Sequence, residues 1–561
     1  MKKPLAVASA VLAATLALSA CSNSNNNEAS SSASPSASNA PQVKNTEDFP
    51  NVHYDLGSTR HVPFTEITKE NVNDLGVIWS ADFKKLDPKI ANGNQAFTVV
   101  LDGVLYVSTS KNHVFAFEAV SGKELWHWAP DAILEENSKN LVIVANRGVA
   151  VAEGQVFMLT LDNRLISIDA KTGKTNKIVS ISDAVDGVTV ENGYYETTAP
   201  VYYNGNLYIG SSGGDNGVRG FVMAYKSDLT PAWDQPFWVV PPKGQDWLKN
   251  AIYNGGGAVW CPITVDEETG IIYFGTGNPA PDFYGEDRPG SNPYTDSVVA
   301  LDGATGKLIW AEQEISHDLW DYDAASTPML IKAKINGTER KVVVHGGKSG
   351  QWWALDAATG ERIYDGVQFA KKISHPDPTP EGVLVYPGIY GGQNYAPETY
   401  DPQSNYVLIP GIEAPSVAVA QKEGQEKVSP FGTTIAAAPA DIKPYGTVTA
   451  IDMNTGKIAY QYDTDAQMRG GFTSTATGLA FYGELNGKFR ALDIQAGKII
   501  WEFQTIGDNI GSAPSIFTQD GKEYIALTTG GSKPKVMVFA LGGDKTQGTA
   551  PVDEVEKGAH D

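Results

Sequence analysis

One short pattern recurs along most of this chain, and it limits the possible folds more than any other feature. An alternating apolar run ends in an acidic turn with Thr-Gly-Lys or a close variant, and a second apolar run closes on an aromatic residue. It reads "VFAFEAVSGKELWHW" (114–128), "LISIDAKTGKTNKI" (165–178), a weaker "FVMAYKSDLTPAW" (221–233), "VVALDGATGKLIW" (298–310), "WWALDAATGERIY" (352–364), "VTAIDMNTGKIAY" (448–460) and "FRALDIQAGKIIW" (489–501). A last strand, "VMVFAL" (536–541), has no partner after it. Each copy is a hairpin: period-two alternation turns one side to a core, and the glycine takes the positive-φ position of the turn. Eight strand signals with long returns between them predict an all-β fold of four-stranded blades around one axis, an eight-bladed β-propeller. The final strand is expected to pair with "LGVIWSADF" (75–83), closing the ring so that no long edge stays open. The recurring Trp126, Trp233, Trp310 and Trp501 read as blade-to-blade packing.

The N-terminus reads as a signal of a different kind. Lys2 and Lys3 precede the apolar run "LAVASAVLAATLALSA" and "LSAC" (18–21), a signal peptide over 1–20 ending in a lipobox with Cys21 as the lipidated residue. The run is too short to be a stable membrane span. "SNSNNNEASSSASPSASNAPQ" then begins a polar tether over 21–47, too poor in apolar residues to pack. The propeller is placed at 48–545 and a tail at 546–561. The expected location is extracytoplasmic, lipid-anchored to the cell membrane. Cys261 is the only other cysteine, so stability must come from core size rather than a disulfide. The formal charge of −22 excludes nucleic acid as a partner and suits cation binding.

Several polar residues lie off the repeat. "ISHDLWDYDAA" (315–325) crowds Asp318, Asp321 and Asp323 together, which is costly unless a cation, proton or ligand rewards it. Alternation along an extended strand would bring Asp321 and Asp323 to one face, with Asp318 a turn residue. The spacing is not that of an EF-hand loop. "YFGTGNPAP" (273–281) puts the amide of Asn278 near a strand end, where its oxygen can bind a hard cation. "YNGGGAVW" (253–260) sets Trp260, a flat support, after three glycines that permit close approach.

The repeat with its tryptophans, together with these motifs, resembles the quinoprotein alcohol dehydrogenases, which hold pyrroloquinoline quinone (PQQ) and a metal ion on the axis of such a propeller. The likeness runs from about residue 54 to 541. It implies cofactor contacts from Gln95, Arg147, Thr197, Ser212, Gly213, Gly214, Trp260, Lys348 and Asn394. Metal ligation falls to Asp215, Asn278, Asp321 and Asp323, with Ca²⁺ or a lanthanide as the ion. Asp321 matches the general base, and Lys348 the residue that touches the quinone oxygens. The chain departs from the family in four places: Gln95 and Asp215 replace glutamates, Tyr395 replaces a common tryptophan, and Leu141 and Val142 replace a vicinal cysteine pair. The implied reaction is hydride transfer from an alcohol, polyol or aldose to the quinone. No C-x-x-C-H haem motif occurs in the sequence, so the electron acceptor is expected to be separate, a cytochrome or a membrane quinone. Two rival readings share the repeat: a non-catalytic envelope scaffold, and a carbohydrate hydrolase using axial carboxylates. A scaffold has no need for Asn278, Asp321 and Lys348 at the family's spacing, and a hydrolase leaves Trp260, Lys348 and Arg147 without a joint task.

Overall fold

The computed structural model describes residues 46–548 except 142, 421–432 and 507–508. Cys21 and Val142 therefore lie outside the described residues. Six of the seven repeat hairpins form the third and fourth strands of a blade, an antiparallel sheet. In the weaker copy, 221–233, only the third strand, Phe221–Lys226, is formed, and the fourth is Phe237–Trp238 beyond it. Blade 1 runs Val99–Leu101, Val104–Ser108, Val114–Glu118 and Glu124–Trp128; blade 5 runs Met329–Ile335, Thr338–Gly346, Gln351–Asp356 and Arg362–Gln368. In the eighth, Lys535–Leu541 pairs with Leu75–Asp82, Leu75 opposite Leu541, and this closes the ring. Thr46–Glu47, at the very end of the span read as tether, adds a further strand to that blade against Ser515–Gln519.

The blades are joined by one repeated contact. At six of the eight junctions an aromatic residue of the fourth strand, or just before it, lies over the glycine turn of the next blade and donates a hydrogen bond to the carbonyl that follows the acidic residue. The second blade's fourth strand, Thr175–Ser180, has no aromatic, and Lys177 donates to Asp228 O at 2.6 Å instead. Trp126 donates to Ala170 O at 2.9 Å, Trp233 to Gly303 O at 3.0 Å and Trp310 to Ala357 O at 3.1 Å. Trp79 does the same to Ala119 across the closing blade, and the hydroxyls of Tyr364 and Tyr460 do it to Met453 and Ile494. The glycine is required twice over: Gly306 has φ +69°, and a Cβ there would stand 2.8 Å from the Trp233 ring. Trp501 differs. No turn follows the last strand, and its indole packs against Phe503 and Phe539 instead.

The N-terminal segment 49–60 does something the repeat does not announce. It runs along the first strands of successive blades, exchanging backbone hydrogen bonds with Val100 and accepting them from Val265, Leu330, Tyr400 and Ser474. Arg60, wholly buried, ties Val52, Phe472 and Pro514 carbonyls together. The innermost edges are thereby capped rather than left open.

Strand direction fixes where function can sit. The Thr-Gly turns join third to fourth strands and emerge at one face. The links between second and third strands, and from one blade to the next, emerge at the other. Every residue singled out as a candidate site residue lies in one of these latter links. Docking aromatics are the main inter-blade contact, so Trp310→Ala should cost about 3–5 kcal/mol. Denaturant unfolding of the purified variant measures that loss directly.

Candidate functional site

The aspartate cluster is built by a turn, not by the extended strand expected. Asp318 accepts hydrogen bonds from the backbone N–H of Trp320 (3.1 Å) and Tyr322 (2.9 Å). This Asx-type capping bends the chain and holds Asp321 at φ +65°. Alternation fails because the local side-chain bonds outcompete a strand ladder. Both carboxylates still converge, for they meet the same cation: Lys348 Nζ lies 2.8 Å from Asp321 Oδ1 and 2.6 Å from Asp323 Oδ2. Lys348 comes from the link between Thr338–Gly346 and Gln351–Asp356 of blade 5. The other oxygen of Asp323 accepts the Asn278 backbone N–H at 2.9 Å, against Gly277, where any Cβ would stand 2.7 Å from that oxygen. Asn278 donates its side-chain NH₂ to Asp282 Oδ1 at 2.8 Å, which turns its amide oxygen away from Asp282.

Four carboxylates, Asp215, Asp282, Asp321 and Asp323, share this basin with one ammonium. Burial, then Asp215 and Asp321, push the Asp282 carboxyl well above the usual range. Burial also raises Asp321, Lys348 opposing it and Asp323 and Asp215 adding to it. Asp215 keeps part of its surface open to the basin while the chain encloses it, and burial with Asp323 lifts it to about 6. The pair of aspartates in turn raises Lys348 against its own burial. Excess buried negative charge of this kind is relieved by protons or by a hard cation.

Beside the basin is an aromatic slot. The guanidinium of Arg147 lies 4.6 Å from the Trp260 ring centroid and 4.9 Å from that of Tyr395. It donates to Thr197 Oγ1 at 2.6 Å, and Thr197 contacts Ser212 Oγ at 2.9 Å. Arg147 Nε is buried with no hydrogen-bond partner among the described residues. Trp260 alone of these is partly open. Gly213, at φ +95°, opens the short 3-10 turn Gly214–Asn216 that carries Asp215, and a Cβ on Gly214 would press on Ala258 at 3.1 Å. A planar anionic group fits this slot: flat aromatic faces, an arginine with an unpartnered N–H, and paired hydroxyls beside it.

The other two candidate contacts, Asn394 and Gln95, are also buried. Asn394 is committed to its own loop, donating to Tyr390 O at 3.1 Å and accepting from Tyr395 N at 2.9 Å. Gln95 is buried in the link entering blade 1, two residues from Phe97, which packs with Tyr395 and Cys261. The residues that sequence reasoning missed are second-layer ones. Asp282 was legible only as a loop residue after "GNPAP". Arg288, fully buried, donates to the carbonyls of Pro281 and Asp318 and so ties the 282–296 loop to the aspartate turn.

Fold and site together give a propeller whose linking face carries an aromatic slot beside a cluster of buried carboxylates. The sequence matches the family described as PQQ, glucose/ethanol/alcohol dehydrogenase, β-propeller domain, over residues 49–371 and 367–525. It is 30% identical to a quinohemoprotein alcohol dehydrogenase of Comamonas testosteroni, over 86% of this chain and 73% of that one. It is 32% identical to quinohemoprotein alcohol dehydrogenase ADH IIB of Pseudomonas putida, over 84% and 71%. A europium-containing methanol dehydrogenase superposes with a TM-score of 0.75 at 25% identity, covering 88% of this chain and 98% of that one. The chain belongs to the PQQ-dependent alcohol dehydrogenase family.

Buried acids with raised pKa give a signed prediction. Asp215 binds its proton more tightly folded than unfolded, so its contribution to stability is present below pH 3.8 and is lost as pH rises through about 6. The metal-free protein should therefore melt at a lower temperature at pH 7.5 than at pH 5. Millimolar Ca²⁺ or La³⁺ should remove most of that difference, as thermal scans at the two pH values would register.

Proposed function

We propose that this chain oxidises a small alcohol, with PQQ in the Trp260 slot and a hard cation in the aspartate basin. The observation that carries the reading is the convergence of Asp321, Asp323 and Asn278 around Lys348. An oxygen-rich, net-negative pocket beside an aromatic slot suits that pair of groups and no simpler ligand. When bound, PQQ supplies a carbonyl that accepts hydride from the alcohol carbon.

The protein's own groups do the rest. Arg147, Thr197 and Ser212 bind and orient the anionic rim, and Trp260 fixes the ring plane. Asp215, Asn278, Asp321 and Asp323 offer oxygens to the cation, and Asp282 positions the Asn278 amide. Lys348 holds Asp321 through Oδ1, which leaves Oδ2 to take the hydroxyl proton of the substrate. The ammonium of Lys348 also opposes negative charge that develops on the oxidant. Asp321, with Asp215, Asn278 and Asp323, would hold the cation, whose charge would lower the proton affinity of Asp321 and so keep it a base at neutral pH. Ca²⁺ suits the oxygen set; a lanthanide suits it with more charge, and the fourth carboxylate, Asp282, favours the latter. Electrons leave to a separate carrier of cytochrome type, as the name of a similar protein, 1-butanol dehydrogenase (cytochrome c) of Thauera butanivorans, suggests. A lipid on Cys21 would hold the enzyme outside the cytoplasm at the membrane.

Two measurements test the assignment. With PQQ and either Ca²⁺ or La³⁺, the protein should reduce an artificial dye with alcohols, and Asp321→Asn should lower kcat by about 10²–10⁴-fold. Unaltered activity in that variant would remove Asp321 as base, and failure to bind PQQ with either ion would return the chain to a scaffold role. Asp282→Asn keeps an acceptor for Asn278 but removes charge. It should weaken cation binding roughly tenfold or more, La³⁺ more than Ca²⁺, in a calorimetric titration.

A further inference from the structure

Away from the basin, on the same face, a second group of donors meets. His113 closes the link between the second and third strands of blade 1, His127 sits on its fourth strand, and Asp87 follows the short helix Phe83–Leu86 that leads out of blade 8. Their ligand atoms all lie within 4.8 Å of one another. His113 Nδ1 is 3.0 Å from His127 Nε2 and 3.8 Å from Asp87 Oδ2.

We infer that Asp87, His113 and His127 form a binding site for a divalent transition-metal ion such as Zn²⁺, separate from the hard-cation basin. Two nitrogens on one tetrahedral zinc stand about 3.3 Å apart, given Zn–N of about 2.05 Å. The two imidazole nitrogens, 3.0 Å apart, are within a few tenths of an ångström of that spacing, and Asp87 lies within a short side-chain movement of both. Imidazole is the ligand such ions prefer, whereas Ca²⁺ and lanthanides take oxygen. The donors are also held for the purpose. Asp87 Oδ1 accepts the Lys89 backbone N–H at 2.9 Å, which leaves Oδ2 toward His113. The His127 ring stacks on Phe115 at 4.1 Å with planes 6° apart. Such outer contacts orient metal ligands.

Without metal, one ring nitrogen donates to the other. Metal binding needs a tautomer shift, with His113 carrying its proton on Nε2 and His127 on Nδ1, and a small turn of the rings to aim both lone pairs at the ion, with no net change in charge. Burial and the neighbouring imidazole already disfavour a charged His113. The nearby Lys89 is neutralised by Glu135 at 2.7 Å, a carboxylate close enough to influence His113. The remaining coordination position falls to water.

The test titrates Zn²⁺ calorimetrically into the full-length protein with Ca²⁺ in excess, so that the basin does not compete. One zinc per chain should bind, and His127→Gln should weaken it by about 100-fold or more, beyond the 10–100-fold that loss of an outer partner causes. The doubly substituted His113→Gln/His127→Gln protein should lose the site while keeping the wild-type far-ultraviolet dichroism. Co²⁺ added to the wild type should give the intense visible bands of a tetrahedral site, a readout that does not depend on any variant folding. Zinc uptake equal in wild type and the double variant, or no zinc bound at all, overturns the assignment. So does Co²⁺ with only weak octahedral bands.

Discussion

The contact between an aromatic ring and the next blade's turn governs everything else in this molecule. It recurs at six of the eight blade junctions on the same carbonyl and the same crowded glycine, with a tryptophan indole N–H or a tyrosine hydroxyl as the donor. Because the contact fixes each blade against its neighbour, the connections at the opposite face are held at set distances from one another. Residues far apart in sequence, such as Arg147 and Tyr395, can then meet in one slot without any disulfide to hold them. The N-terminal segment completes the arrangement by satisfying the inner strand edges that a ring of blades would otherwise expose.

On that rigid face the charge distribution is deliberately unbalanced. Aspartates outnumber the single lysine they surround, and burial makes the imbalance costly. A chain selected only for stability would neutralise such a cluster with apolar residues of similar volume. Keeping it makes sense where a cation and an anionic ring are to be taken up together, the ion relieving the aspartates and Arg147 the ring. Asp318 and Arg288 show how much structure is devoted to this: one caps the turn that strains Asp321, and the other ties that turn to the 282–296 loop.

The fold was legible because a propeller repeats its instructions. The Thr-Gly turns and their aromatics announce each hairpin, and the unpaired "VMVFAL" announces the closure with residues 75–82. The candidate site residues were legible through the resemblance of their motifs to a family's, and the structure brings Asp321, Asp323, Asn278 and Lys348 together. What was not legible depends on single, non-repeated contacts. Asp321 escapes the extended backbone because Asp318 binds two amides locally, an effect alternation cannot display. Asp282 reaches Asn278 only through the path of its loop, and Asn394 spends its amide on its own turn. The course of 49–60 across the inner strands leaves no periodic trace, since main-chain hydrogen bonds and the single buried Arg60 hold it there rather than a repeated motif.

A crystal structure of the protein reconstituted with PQQ and La³⁺ tests the central claim most directly, because anomalous scattering locates the ion without reference to activity. The account predicts the ion among Asp215, Asn278, Asp321 and Asp323, the Lys348–Asp323 ion pair opened, and the ring lying on Trp260. Lanthanum elsewhere, or Lys348 still bridging both aspartates beneath a ring bound outside the slot, would contradict it.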